Sequence, residues 1–156
     1  MRSSFPMFRS LIVRPTLEEL GMWSPAAENL VYGTAITESD LAYLKQMGDG
    51  PALGFWQMEP ATFYDHRKYL ARRLDLFDKV KPMALIHPLK PEEMIWNLKF
   101  ACAMCRIHYW RIPEQLPEAK DIPGLAAYWK RHYNTHLGAG ETVDFITKAG
   151  QILKGD

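Results

Sequence analysis

The stretch GPALGFWQMEPAT, residues 50–62, is the point from which the organisation of this chain can be worked out. It overlaps the GDGP turn signal at residues 48–51. It ends two residues after Pro60, and proline is favoured at the first position of a helix. We therefore expect a loop or a small β-hairpin over residues 40–58. A helix should follow from Pro60 to about Arg73.

The segment before this junction has the pattern of an amphipathic helix. Ser24 is a favourable N-cap residue, and Pro25 suits the first helical position. Residues at three- and four-residue spacing then share one helix face; they are Ala27, Leu30, Val31, Thr34 and Glu38. The sequence predicts a helix over residues 25–38, with no strong helix signal before it.

Later helices are expected over three segments, each with apolar residues at helical spacing and a boundary signal: residues 91–111, 122–133 and 141–153. Residues 74–90 contain Pro82 and Pro88 and are expected to form a long connection with at most a helical turn. The predicted fold is mainly α, a helical bundle-like domain with at most a small β-hairpin.

The composition limits the class of protein. The chain has 156 residues, a single-domain length, with 47% hydrophobic and 24% charged residues, which excludes a disordered chain. A formal net charge of +1 gives no field that would make nucleic acid the expected partner. The longest apolar run, Phe100–Cys105, is too short to span a membrane. We expect one domain over residues 1–156, without nucleic-acid binding or membrane insertion.

Glu38 places a carboxyl group on the apolar stripe of its predicted helix. A buried carboxyl is costly unless it is paired or neutral, and desolvation raises its pKa. A carboxyl with a raised pKa can donate a proton near neutral pH. The alternative is that the helix ends one turn earlier, so that Glu38 points into water.

Three short motifs follow one another along the chain. Glu38-Ser39 precedes GFWQ at residues 54–57, which runs into Pro-Ala-Thr at residues 60–62, and Tyr133-Asn134 comes much later. This pattern resembles the lytic transglycosylase branch of the lysozyme superfamily.

The resemblance spans residues 24–135, most of the chain. It implies a lysozyme-like α+β domain, with a motif-bearing core at about residues 24–153 and a substrate cleft between the N-terminal part and the later helices. The third motif departs from the family, because His132 and His136 stand where alanine and glycine are usual.

By this resemblance, Glu38 would be the general acid and then the general base. It would protonate the glycosidic oxygen between N-acetylmuramic acid and N-acetylglucosamine in peptidoglycan. The sugar's own 6-hydroxyl would attack and leave a 1,6-anhydro product, so one essential carboxyl suffices. Most glycosidases use a pair of carboxyl groups instead. No metal and no cofactor is implied.

Substrate contacts are expected from five further residues. By resemblance, Ser39 and Gln57 would hydrogen-bond the substrate or Glu38, Tyr133 would contact Glu38 or the reacting sugar, and Asn134 would hold the cleft together. Trp56 is our choice for stacking on a sugar ring, as aromatic faces do in carbohydrate clefts. From the residues alone, Ser39 could equally be a turn residue and Tyr133 a core residue.

Two other functions remain open. A hydrolytic muramidase would use the same Glu38 together with an acid that orients water, for which Asp40, Asp49 and Glu59 are the candidates. A non-catalytic virion-structural or glycan-binding module on the same fold is the other hypothesis, and the altered third motif favours it.

Several other residues indicate packing rather than chemistry. Trp96 and Trp129 fit helix stripes and are expected in the core. Cys102 and Cys105 are expected to be buried small hydrophobes, because a structural zinc site needs four ligands and no second cysteine pair exists. The basic residues of the predicted helix at residues 60–73 are expected on a solvated face.

The N-terminal sequence bears on the setting. The apolar cluster at residues 11–13 is too short for a secretory signal. We therefore expect synthesis in the cytoplasm and action on the cell wall, as a bacteriophage protein or as a domain delivered by a secretion machine. The expected partners are peptidoglycan glycan strands and components of the virion or of that machine.

Overall fold

The computed structural model describes residues 4–135 and 137–155, so His136 lies outside the described residues. The α-helices are, in chain order, α1 (Phe5–Phe8), α2 (Arg14–Leu20), α3 (Pro25–Ser39), α4 (Pro60–Arg72), α5 (Leu74–Val80), α6 (Glu93–Trp96), α7 (Leu98–Trp110), α8 (Ile122–Trp129) and α9 (Thr142–Gly155). The prediction of a mainly helical domain with at most a small β element is confirmed. No helix within the described ranges is long and apolar enough to cross a membrane.

The loop between α3 and α4 contains the small β element. Leu53 forms isolated β-bridges with Lys45 and with Met58, and the Leu53 and Met58 backbones exchange hydrogen bonds of 3.0 and 3.1 Å. Gly54 makes the tight turn between them with a φ of 76°, a conformation that glycine adopts without steric cost. The predicted loop or small hairpin is therefore confirmed, and it folds the GFWQ motif back on itself.

Helix α3 begins where the sequence predicts. The Ser24 hydroxyl accepts a hydrogen bond of 3.0 Å from the Ala27 backbone, and Pro25 is the first helical residue. The helix continues through Ser39, one residue beyond the prediction. Glu38 is therefore inside the helix, and the alternative of an earlier helix end is wrong.

Helix α3 runs through the centre of the domain and is buried on nearly every face. The hydroxyls of Thr34 and Thr37 each donate a 2.7 Å hydrogen bond to the carbonyl four residues earlier, which satisfies them without water. Gly33 lets α9 approach closely, because a Cβ there would lie 2.5 Å from the Phe145 ring. This packing brings α9 alongside the C-terminal end of α3.

The N-terminal helical segment has no counterpart in the sequence prediction. Helix α1, a π-helical turn at Arg9–Val13 and α2 follow without interruption and end at Gly21, whose φ is 69°. The segment inserts apolar side chains into the core; they are Val13, Leu17 and Leu20. Tertiary packing therefore stabilises a helix that local signals do not specify.

A buried ionic cluster ties this segment to α3. Glu28 is 1% exposed, and its carboxylate accepts hydrogen bonds from Arg9 at 2.5 Å, Arg14 at 2.6 Å and Trp23 at 2.8 Å. Burial alone would raise the pKa of Glu28, but these donors outweigh it and hold the pKa at about 2. The carboxylate is therefore ionised throughout the neutral range.

The single helix predicted over residues 91–111 is wrong, because the chain breaks at Asn97 into α6 and α7. The Asn97 side chain accepts a 3.1 Å hydrogen bond from the Phe100 backbone and so caps α7. Its amide also donates to Glu93 at 2.6 Å and to the Met83 carbonyl at 2.9 Å. The connection at residues 74–90 is more helical than predicted, with α5 followed by a 3₁₀ turn at Lys81–Met83.

The predictions for packing residues have mixed outcomes. Cys102 and Cys105 are fully buried and Trp129 is 1% exposed, as expected. Trp96 is 54% exposed, so its assignment to the core is wrong. It ends the one-turn helix α6, and the break at Asn97 removes the long apolar stripe on which the assignment depended.

Candidate active site

A cleft of about 630 Å³ lies between the end of α3 with its following loop and the C-terminal helices. The polar and aromatic side chains on its first side are Thr37, Glu38, Tyr43, Gln46, Gln57 and Glu59. Those on its second side are Trp129, Tyr133, Asn134, Asp144 and Lys148. The two walls thus come from distant parts of the sequence. Of the predicted site residues, the cleft brings together Glu38, Gln57, Tyr133 and Asn134.

Glu38 is partly buried in this cleft, and its Oε2 accepts a 3.0 Å hydrogen bond from Nε1 of Trp129. Burial raises the pKa of Glu38 to about 7, opposed by the Trp129 hydrogen bond, the charge of Lys148 and the Asn134 side chain. A carboxyl with this pKa is about half protonated at neutral pH. It can therefore donate a proton and later accept one.

Trp129 is held rigidly, so it fixes the position of the Glu38 carboxyl. Its ring is buried at the end of α8 and packs against Phe145 of α9 with ring centroids 5.9 Å apart. Gly140 lies so close that a Cβ there would be 2.8 Å from the indole. The indole N–H therefore points at one carboxylate oxygen, Oε2 of Glu38, and holds the carboxyl in place.

A π-helical turn, Lys130–Asn134, follows α8 and forms one edge of the cleft. The Lys130 ammonium donates a 2.8 Å hydrogen bond to Oδ1 of Asn134 and also donates to the backbone carbonyls of Gly138 and Gly140. These bonds tie the turn to the loop that leads into α9. Asn134 thus lies between the cleft and its supporting loop.

Tyr133 and Gln57 connect the two walls. The Tyr133 hydroxyl donates a 2.6 Å hydrogen bond to the backbone carbonyl of Trp56, and its burial raises its pKa well above the ordinary value. Gln57 has a φ of 48°, and its side-chain amide donates to the Gly54 carbonyl at 2.8 Å. Both side chains line the cleft, while their polar groups also fasten the GFWQ loop.

Two predicted substrate contacts lie behind the cleft. Trp56 is 1% exposed and its indole donates to the Val31 carbonyl at 2.9 Å, so the prediction that it stacks on a sugar is wrong. Ser39 is also 1% exposed, and its hydroxyl donates to the Ala35 carbonyl at 2.9 Å and accepts from the Leu41 backbone. Ser39 therefore has the turn role that the residues also allowed.

The acids named for a water-orienting role are distributed unevenly. Glu59 is exposed and lines the cleft, at the residue before α4. Asp40 and Asp49 are not among the residues that line it. Asp40 instead ends α3 with a φ of 53°, and Asp49 is exposed in the following loop.

Two charged residues of the cleft were missed by sequence reasoning. Asp144 and Lys148 are four residues apart and share one face of α9. Lys148 donates a 3.4 Å hydrogen bond to the Thr37 carbonyl, one residue from Glu38. The spacing marks a polar face on α9, but it does not reveal that this face meets α3.

A buried histidine, His66, and a partly buried one, His108, support the π-helical turn from behind. Arg111 can only donate, so Nδ1 of His66 accepts the 3.0 Å hydrogen bond between them. The proton of neutral His66 is therefore on Nε2, which donates to Nδ1 of His108 at 2.9 Å. His108 then donates to the His132 carbonyl at 2.6 Å. Burial lowers the pKa of His66 to about 3 and also lowers that of His108, so both are neutral. His66 is thus buried rather than on the predicted solvated face.

The chemistry that this arrangement can perform is proton transfer in a polar, open cleft. Within residues 4–135 and 137–155 no group of three or more histidine, cysteine or acidic side chains is placed to hold a metal ion. Comparison with protein families, curated proteins and solved structures finds no match to this chain.

Proposed function

We propose that this protein cleaves peptidoglycan as a lytic transglycosylase, with Glu38 as the single acid/base. The observation that carries the proposal is a carboxyl of pKa about 7 in a polar cleft, held by the indole of a buried tryptophan. A glycosidic oxygen needs a proton donor at neutral pH, and a carboxyl with an ordinary pKa is almost fully ionised there. The order of the three sequence motifs supports the lysozyme-like assignment.

The reaction needs one carboxyl group in two successive roles. Protonated Glu38 gives its proton to the glycosidic oxygen as the bond from that oxygen to C1 of N-acetylmuramic acid breaks. The resulting carboxylate then takes the proton of the 6-hydroxyl while that oxygen bonds to C1. No water is consumed, Glu38 ends protonated, and the product is a 1,6-anhydro sugar. Attack within one sugar supplies the proximity that a second catalytic group would otherwise provide.

The cleft offers the contacts that a glycan strand requires. Tyr43 lines it and is 43% exposed, so its ring can take the stacking role that was predicted for Trp56. The side chains of Gln46, Gln57 and Asn134 place amide groups along the walls, where sugar hydroxyl and acetamido groups can bind. Specific amide and aromatic contacts are typical of sites for uncharged sugars.

A hydrolytic outcome has one observation in its favour. The carboxylates of Glu59 and Asp144 also line the cleft, and either could orient a water for attack on the opposite face of the sugar. The setting proposed from the sequence is the bacterial cell wall, reached from a phage virion or through a secretion machine. The non-catalytic glycan-binding or virion-structural module is the remaining alternative.

Product analysis on purified peptidoglycan sacculi tests the proposal. Wild type should release muropeptides that end in 1,6-anhydro-N-acetylmuramic acid, and Glu38→Gln should release them at least about 100-fold more slowly, because it keeps the shape but has no proton to give. Glu59→Gln is the matched control and should keep most of the activity. Circular dichroism of each variant confirms that it is folded.

The other outcomes of this experiment are equally informative. Fragments one water heavier, lost in Glu59→Gln or Asp144→Asn, would replace the transglycosylase with a hydrolytic muramidase. If wild type releases nothing while a control lysozyme digests the same sacculi, the enzyme proposal is rejected in favour of binding or assembly.

The charge of Lys148 should influence the upper pH limit of the reaction through its effect on the pKa of Glu38. Its ammonium favours the ionised form of Glu38, so Lys148→Met should raise the pKa of Glu38 above about 7. The basic limb of the pH–rate profile for sacculus clearance should then move upward, with roughly two- to threefold more relative activity at pH 8.

The matched control for this prediction is Lys154→Met, which removes the same charge from the exposed end of α9 outside the cleft. Its pH–rate profile should overlie that of wild type. A basic limb that stays in place in Lys148→Met, or that moves to lower pH, would show that another group controls this limb.

A further inference from the structure

We propose that a second cavity, separate from the cleft, binds a phosphate-bearing dianion through Arg106 and Arg111. This arginine cavity has a volume of about 460 Å³ and lies between the ends of α4 and α7 and the segment after α7. Its principal lining side chains are Arg73, Arg106, Arg111, Tyr69, Trp110 and Glu114. It shares no lining residue with the cleft, so this proposal does not depend on the proposed glycan cleavage.

Arg106 is the residue that points to a ligand. It is only 6% exposed, yet within the described ranges no carboxylate lies within 4.0 Å of its guanidinium. Its Nε donates to the Met22 carbonyl at 3.0 Å, while its two terminal nitrogens form no hydrogen bond with the described residues. Burial lowers the pKa of Arg106, because desolvation disfavours its charged form. An anion in the cavity would supply that counterion.

The guanidinium groups around the cavity are held in place by aromatic rings. Arg106 lies over the Trp110 ring at 5.3 Å, and Arg111 lies over the Tyr69 ring at 4.7 Å. Arg73 donates a 3.1 Å hydrogen bond to the Tyr69 hydroxyl. Because stacking fixes the planes of these groups, less side-chain entropy is lost when an anion binds.

The charge balance of the cavity favours a dianion. Asp75 pairs with Arg73 at 3.0 Å, and the Glu114 carboxylate is engaged by Arg131 at 2.5 Å and by His132. Arg106 and Arg111 have no carboxylate partner in the described part of the chain, which leaves two uncompensated positive charges. A phosphate monoester carries close to two negative charges at neutral pH, and guanidinium groups match its oxygens in bidentate geometry. A single carboxylate would neutralise only one of the two.

Calorimetric titration tests this site with inorganic phosphate and with glycerol 3-phosphate, in 150 mM sodium chloride at pH 7.5. Both anions should bind wild type with one site per chain. Arg106→Met should weaken binding at least about tenfold, because it removes a charge-assisted contact while it keeps the buried apolar stem. Arg72→Met is the matched control, since Arg72 is exposed on α4 outside the cavity, and it should change the affinity less than twofold.

The two probes separate the sources of the phosphate group. Tighter binding of inorganic phosphate assigns the site to the free ion, and tighter binding of glycerol 3-phosphate assigns it to an esterified group. If Arg106→Met does not fold, Arg111→Met replaces it, because Arg111 is exposed. The proposal is overturned if neither phosphate binds wild type, if Arg72→Met weakens binding as much as the cavity variant, or if succinate binds as tightly as phosphate.

Discussion

Above pH 7, Glu38→Gln should have a free energy of unfolding about 3 kcal/mol higher than that of wild type. The carboxyl has a pKa near 4.5 in the unfolded chain and about 7 in the folded one. Each pH unit between these values corresponds to about 1.4 kcal/mol of preference for the protonated form. Glutamine keeps the shape and an oxygen that can accept from Trp129, but it has no charge to desolvate.

The pH dependence gives this prediction its sign. Between pH 4.5 and about 7 the folded protein binds more protons at Glu38 than the unfolded chain, so this residue makes stability fall as the pH rises. Below pH 4.5 the carboxyl is protonated in both states, and the two proteins should be equally stable. The contributions of His66 and Glu28 are common to both and cancel in the difference.

Urea unfolding of both proteins at pH 4 and at pH 8 measures this difference directly. Glu59→Gln is the control, because it removes an exposed carboxylate from the same cleft and should change stability by less than about 0.5 kcal/mol. Equal stabilities of wild type and Glu38→Gln at pH 8 would mean that the folded protein does not desolvate Glu38. The proposed proton donor would then lose its physical basis.

Gly54→Ala should destabilise the protein by about 3 kcal/mol or more and disorganise the cleft. The φ of Gly54 is 76°, where an added Cβ costs about 1–2 kcal/mol. That Cβ would also press against the backbone carbonyl of Met94, which cannot rotate away as a side chain would. Because Gln57 donates to the Gly54 carbonyl, the shift should spread to the cleft wall.

Gly48→Ala is a matched control within the same loop. Gly48 has nearly the same φ, 77°, but a Cβ there meets nothing within 4 Å. Gly48→Ala should therefore lower the free energy of unfolding only by the cost of the positive φ, about 1–2 kcal/mol. Thermal unfolding of the two variants separates strain from contact, and equal losses of stability would show that the approach to Met94 is relaxed without cost.

The helices with strong local boundary signals were the predictable part of the fold. Ser24 with Pro25 marks the start of α3, and Pro60 marks the start of α4, because caps and N-terminal prolines act locally. The N-terminal helix was not predictable in this way. Its stability comes from packing and from the charges around Glu28. It also contains Pro15, two residues after the end of a π-helical turn, and a proline inside a helical pattern ordinarily indicates a helix end.

The location of Glu38 in a cleft was predictable, and the side chains around it were less so. Glu38 was identified from its motif and from the cost of burying a carboxyl. Sequence spacing could not show that Ser39 and Trp56 are buried behind the cleft rather than exposed in it. The reason is that α3 and its following loop are buried on several sides at once. The contact of Trp129 with Glu38 joins residues 91 apart, which local spacing cannot reveal.

This separation along the chain also has a consequence in time. A ribosome makes Glu38 well before it makes Trp129 and the rest of the far wall. Until α8 and α9 pack against α3, the carboxyl lies in water, where an ordinary pKa keeps it ionised at neutral pH. An unfinished chain would therefore lack the acid, and the proposed chemistry becomes possible only when synthesis of the domain is nearly complete.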